Sequence, residues 1–250
     1  MTKYTINKLF EKEFPHVVWK IEVDSEKNFL SIECRNPENT LPYFHVLTFD
    51  GVVLLDNYAV HEKEWTIAAI QDRFLILKKY GSASPIQPGI IIIDVYTRAI
   101  VCRYDEYIYE DTYENYLIAR HRTIPSGLTY YLEIKSGEIG TIKPFKLILP
   151  ENHLRLPIPY NGKMPIFMES IDFVDQIWLQ KHNQNFLWSY HSKNNKCYQL
   201  NLILSTNSEI IDQKMILDGM VKLIPQPYFM VKDYIFFLSS NKMKITTYLV

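Results

Sequence analysis

Cys34, Lys79, His121, His191 and Ser239 each stand five residues after an aromatic residue: Phe29, Phe74, Tyr116, Phe186 and Tyr234 in turn. A thiol, an amine, two imidazoles and a hydroxyl at equivalent places of a repeat form a polar circle. A thiol with two imidazoles is a zinc-ligand set, and a thiol beside an imidazole is a nucleophile and its base. Distance argues against both. Such places on different repeats of a ring lie more than about 10 Å apart, whereas zinc draws its ligands to about 2 Å. The circle therefore reads as a binding rim or as ordinary exposed loop residues, and it is assigned no metal, cofactor or catalytic residue.

The connections at these positions carry Arg35, Lys78, Lys79, Arg120, Arg122, Lys193, Lys196, Lys242 and Lys244. The neighbouring stretches "RYDEYIYEDTYE" and "VHEKEW" are acidic. A basic ring interleaved with acid focuses field on a shallow depression. Cys34, Lys79, Arg120, His121, Arg122 and His191 are accordingly the candidate binding residues, for a protein or a small polar ligand. The competing account is that the loop charges simply pair with one another, at no more than about 1 kcal/mol per pair. Arg120-His121-Arg122 and Lys78-Lys79-Tyr80 superficially suit nucleic acid, but a net charge of -1 and the acidic neighbours argue against that partner.

A hydrolase or lyase acting on a glycan is the alternative, because paired carboxylates roughly 5 to 10 Å apart cleave glycosidic bonds. Glu22, Asp24, Asp72, Asp111, Asp172 and Asp175 are the carboxylates near the ends of first strands. None sits in a motif, and no GxSxG, HExxH, Walker or GxGxxG pattern occurs. The expectation is a binding or scaffold module rather than an enzyme. Trp19, Trp65, Trp178 and Trp188 are read as packing residues rather than a sugar platform.

The elements behind these positions follow from the repeat. "NFLSIECRN", "DRFLILKKYG", "NYLIARHRT", "NFLWSYHSK" and "DYIFFLSSN" echo one another with anchor spacings of 45, 42, 70 and 48 residues. Intervals of 42 to 48 suit propeller blades. The first four echoes lead into hairpins tipped by Asp50-Gly51, Thr97-Arg98, Ser136-Gly137 and Asn207-Ser208. Each unit reads as four short up-and-down strands that must stack on neighbours to bury both faces. The last unit lacks a fourth strand, and "INKLFEKEF" at the amino end supplies it. The expected fold is an all-β, five-bladed β-propeller closed by an N-terminal strand in the last blade. It forms one domain over 1–250, with a Pro-rich, largely apolar insertion at about 143–168 that either folds back over its own blade or serves to plug the central channel or dock a partner. A β-sandwich or barrel remains open, and so does an α+β arrangement with a helix over 64–80, the latter because "EWTIAAIQDRFLILKKY" also fits a helical period.

At "IIIIDVYTRAIVCRY" and "YYLEIKSGEIG" the sequence resembles the repeat of pyrroloquinoline-quinone-type propellers of the WD40-like class. Asp94 and Thr97 match that repeat, Arg98 stands where it has glycine, and no tryptophan follows. The resemblance implies blade geometry rather than quinone chemistry. The chain as a whole is also similar to a bacterial family of unknown function known mainly from Bacteroidetes, which implies a stand-alone protein.

Cys34, Cys102 and Cys197 are odd in number and widely spaced, which suits a reducing compartment. The N-terminus has no signal-peptide apolar run, and "GIIIID" is far too short to span a bilayer. A cytoplasmic location without membrane contact is expected.

Overall fold

The computed structural model describes residues 5–81, 87–124 and 127–250. Residues 82–86 and 125–126 of two basic loops lie outside the described residues. The described chain is all-β, with five antiparallel sheets of four or five strands and no α-helix. No sheet closes on itself, so the barrel alternative falls. Contacts group the chain into two compact units, residues 14–152 and residues 1–13 with 153–250.

Strand β1 (Asn7–Glu13) opens the chain and belongs to the second unit. The first unit holds three sheets in simple up-and-down order. The first is β2 (Val17–Asp24), β3 (Phe29–Arg35), β4 (Pro42–Thr48) and β5 (Val53–Ala59). The next is β6 (Trp65–Gln71), β7 (Phe74–Lys79), β8 (Ile90–Asp94) and β9 (Ile100–Tyr104). The third is β10 (Tyr107–Tyr113), β11 (Tyr116–His121), β12 (Tyr130–Glu133) and β13 (Ile139–Gly140). In the second unit, β14 (Leu154–Arg155) edges the last sheet, while β15 (Ile158–Pro159), β16 (Val174–His182), β17 (Asn185–Asn194), β18 (Cys197–Ser205) and β19 (Ile210–Met220) form the fourth. The last sheet runs β14, β20 (Phe229–Val231), β21 (Tyr234–Leu238), β22 (Lys244–Leu249) and then β1.

The anchor aromatics therefore open the second full strand of every sheet. The turn before each anchor contains a residue in the left-handed region: Asn28 (φ 58°), Asp72 (51°), Asn115 (64°), Asn183 (54°) and Lys232 (54°). Asn and Asp tolerate that conformation because their short side chains bond locally. The same turn excludes a helix over 64–80, since Asp72 reverses the chain and Gln71 faces Phe74 in the ladder.

The run Ile90-Ile91-Ile92-Ile93 shows why the sheets stack. Ile91 and Ile93 join Leu75, Leu77, Trp65, Phe44 and Leu55 in one core, while Ile90 and Ile92 join Phe74, Ile76, Leu117 and Leu132 in another. A strand apolar at every position is covered on both faces. Each such side chain contributes roughly 1.5–3 kcal/mol on burial. In the second unit, Leu187, Leu200, Leu202 and Leu204 face Met230, Phe237 and Tyr248, and the opposite face buries Trp188 and Ile203.

The expected fourth strand of the last sheet is in place: Phe10, Glu11 and Lys12 pair with Thr247, Thr246 and Ile245, with a bulge at Leu9. The insertion divides in its behaviour. Tyr160, Met164, Phe167 and Met168 pack over Trp188 and Tyr190 of the fourth sheet, whereas Phe145 is fully exposed.

Hairpin tips need a left-handed residue, supplied by Gly51 (φ 95°) and Gly137 (φ 74°) but by Arg98 (φ 60°) between β8 and β9. At Gly137 no side chain fits, because a Cβ would lie 1.9 Å from Cys102 Sγ. Arg98 bears the Cβ penalty that glycine avoids. Arg98→Gly is expected to stabilise the chain by about 0.5–1 kcal/mol, seen as a higher urea midpoint at unchanged slope.

Candidate functional site

The six expected binding residues differ in their surroundings. Cys34 on β3 is fully buried, and burial, then the Glu33 charge, pushes its thiol up to about 12. His191 on β17 is 2% exposed; its Nε2 accepts the Ile224 N–H at 3.3 Å, and burial holds its pKa below the ordinary value, with Asp175 opposing. Neither presents a group to a solvent-facing rim, which corrects the circle at these two places. The reason is that β3 and the middle of β17 are covered on both faces.

Lys79, Arg120 and Arg122 sit at strand exits as expected, but each is matched by acid. Lys79 Nζ lies 2.5 Å from Glu62 and 5.0 Å from the Trp65 ring centre. Arg120 pairs with Glu110 at 3.3 Å, and Arg122 pairs with Glu106. His121 stacks edge-on against Tyr107 at 5.2 Å and bonds Thr123. No hydrogen bond, ion pair or ring contact among the described residues joins Cys34, Lys79 and His121 to one another. Trp19, expected as packing, is 67% exposed at a bulge in β2, although its ring still covers the Arg35 guanidinium at 5.9 Å.

Carboxylates gather at the opposite ends of the strands of the first unit. Asp24 Oδ1 accepts the N–H groups of Glu26 and Lys27, and its Oδ2 accepts the Asp72 N–H at 2.7 Å, tying two turns together. Gln71 ties in the third by accepting the Asn115 N–H and donating to the Tyr113 carbonyl. The chain after β13 returns across these turns: Ile148 O accepts the Glu114 N–H, and Ser25 Oγ donates to Glu151 O.

These links frame a cleft of about 560 Å³ lined by Glu22, Asp24, Glu26, Asp72, Asp111, Glu114 and Glu151, with Lys27 the one cation among its lining residues. Ala69, Ile70, Leu149 and Pro150 give it apolar walls. Glu22 is partly balanced by Lys20 at 2.9 Å, and Lys27 approaches Asp72 at 4.0 Å. Nearby, Lys78 lies over the Tyr109 ring at 4.5 Å; burial lowers its pKa, as does Lys20, against Glu22 and Asp111.

Four of the cleft carboxylates, Glu22, Asp24, Asp72 and Asp111, are those the sequence marks for glycan cleavage, whereas Asp172 and Asp175 lie in the other unit. Asp24 is committed to three backbone amides and serves as a turn cap. The sequence does not single out Glu26, Glu114 or Glu151 for this cleft. Glu26 and Glu114 carry a signal, acid in the turns between first and second strands, whereas Glu151 comes from the segment after β13 and has none.

Cys34 gives a test of burial. An acid whose folded pKa is raised holds its proton in the native state, so stability falls as pH rises from the ordinary 9.0 toward about 12. Cys34→Val is expected to flatten that fall, measured by urea unfolding between those two pH values, and native Cys34 is expected to resist iodoacetamide.

The sheets and cleft define an all-β repeat protein with an acidic groove at one end of three stacked sheets. No protein-family model matches the sequence, and no curated protein does. Among solved structures, the chain is similar to Raptor of Chaetomium thermophilum at 9% identity and TM-score 0.40, covering 97% of this chain but 28% of that one. It is similar to an oligogalacturonate lyase in complex with manganese at 10% identity and TM-score 0.32, over 98% and 92% of the two chains. An uncharacterised protein of Listeria monocytogenes gives 10% identity and TM-score 0.31, over 94% and 97%. At these scores the likeness bears on neither activity nor ligand. No helix among the described residues is long and apolar enough to cross a membrane.

Proposed function

We propose that this chain is a non-enzymatic binding module whose acidic cleft takes a Lys- or Arg-bearing segment of a partner protein. In this reading the five sheets are the blades of a single propeller domain, and the module works in the cytoplasm, where its three unpaired cysteines stay reduced. One observation carries the functional part: seven carboxylates and a single ammonium around one cleft. Such a cleft concentrates cations and repels a phosphate backbone. The basic loops are a weaker candidate, because Lys79, Arg120 and Arg122 already pair with Glu62, Glu110 and Glu106.

The test is fluorescence anisotropy with a labelled oligolysine peptide. Binding is expected to weaken steeply with salt, and the triple variant Glu26→Gln, Asp72→Asn, Glu114→Gln should weaken it by about tenfold or more. Full binding by that variant, together with loss of binding in Lys79→Ala or Arg120→Ala, would move the site to the basic loops and overturn the proposal.

A further inference from the structure

A second groove, of about 750 Å³, lies in the other unit between the β16–β17 turn and the β18–β19 turn. Its chemistry differs from that of the acidic cleft. Asn183, Gln184, Asn185, Asn207 and Ser208 supply amides and a hydroxyl, and Phe186 supplies a half-buried ring. Lys181 and Glu209 are its only charged lining residues, so the groove is neutral overall.

Two observations separate it from an ordinary gap between turns. Thr206 Oγ1 accepts the N–H groups of Ser208 and Glu209, so that turn is built by its own side chain, and Asn207 within it is exposed. Asn185 is 5% exposed, lines the groove, and its carboxamide has no hydrogen-bond partner among the described residues. Its amide atoms are not sealed off from water, so a ligand's hydroxyls can take the place of that water. The Phe186 ring is held in place against Trp188, 6.4 Å away between centres.

Carboxamides offer a donor and an acceptor side by side, which matches neighbouring sugar hydroxyls, and an aromatic face takes the apolar side of a pyranose ring. We infer that this groove binds a neutral saccharide, with Asn185 as its buried hydrogen-bonding group and Phe186 as its stacking platform. A site built to bond hydroxyls discriminates against ligands lacking them, and its neutrality gives no preference for acidic sugars.

The experiment is amide NMR on the full chain with cellohexaose, mannohexaose and chitohexaose, each at up to about 10 mM. At least one is expected to shift the amides of 181–186 and 206–209. Asn185→Ala and Phe186→Leu should each weaken that binding by about tenfold while leaving shifts in the remaining sheets unchanged, which shows that the variants are folded. No shift in those two turns with any of the three sugars, or shifts that survive both substitutions, would overturn the inference.

Discussion

Arg35→Met is expected to cost about 3–5 kcal/mol of unfolding free energy, because it strands a buried carboxylate. Glu33 is fully buried and Arg35 is 7% exposed, so water can replace neither partner. The guanidinium bonds Glu33 Oε1 and donates to the carbonyls of Thr40, Lys63 and Trp65, with Trp19 and Tyr80 rings on its flanks. Glu33 Oε2 accepts from Thr66 Oγ1 at 2.6 Å and the Ile67 N–H at 3.1 Å. The pair therefore fastens the first sheet to the edge of the second. Urea unfolding measures the loss, and adding Glu33→Gln to Arg35→Met should recover part of it. A loss below about 1 kcal/mol would place the pair among ordinary surface ion pairs.

Deleting residues 1–13 is expected to be as damaging. Ile6 is fully buried, and its N–H donates to Asp212 at 2.8 Å, while β1 covers the outer edge of β22. Losing a buried isoleucine alone costs about 2–5 kcal/mol. The uncovered β22 then offers an open edge for association with other copies. Calorimetry should show the transition lowered, and a peptide of residues 1–13 supplied in trans should restore it by re-adding the strand. A truncated chain as stable and monomeric as the full one would show that β1 contributes nothing to the sheet.

Much of the fold is written locally. The aromatic anchors and the Asn or Asp before them mark the same turn in four sheets because that turn needs a left-handed residue. Only Lys232 departs from that chemistry. The apolar run at Ile90 to Ile93 announces a strand covered on both sides.

The site was less legible, for physical reasons. The rim argument assumes that a polar residue at a strand exit faces water, but Cys34 and His191 sit on strands with no exposed face, where alternation says nothing. The bulge between Val18 and Lys20 turns Trp19 outward, and nothing in "VVWKIEV" marks the extra residue. Half the cleft was visible as carboxylates at strand ends. Glu151 and the Leu149–Pro150 wall depend on the 148–152 segment returning to Glu114 and Ser25, a long-range fit without local signal.

Small-angle X-ray scattering of the intact chain tests most directly the proposal that five sheets form one closed propeller. A compact single domain of this length has a radius of gyration of about 18 Å and a single-peaked distance distribution, and that is the expected result. A two-lobed distribution with a clearly larger radius would contradict it.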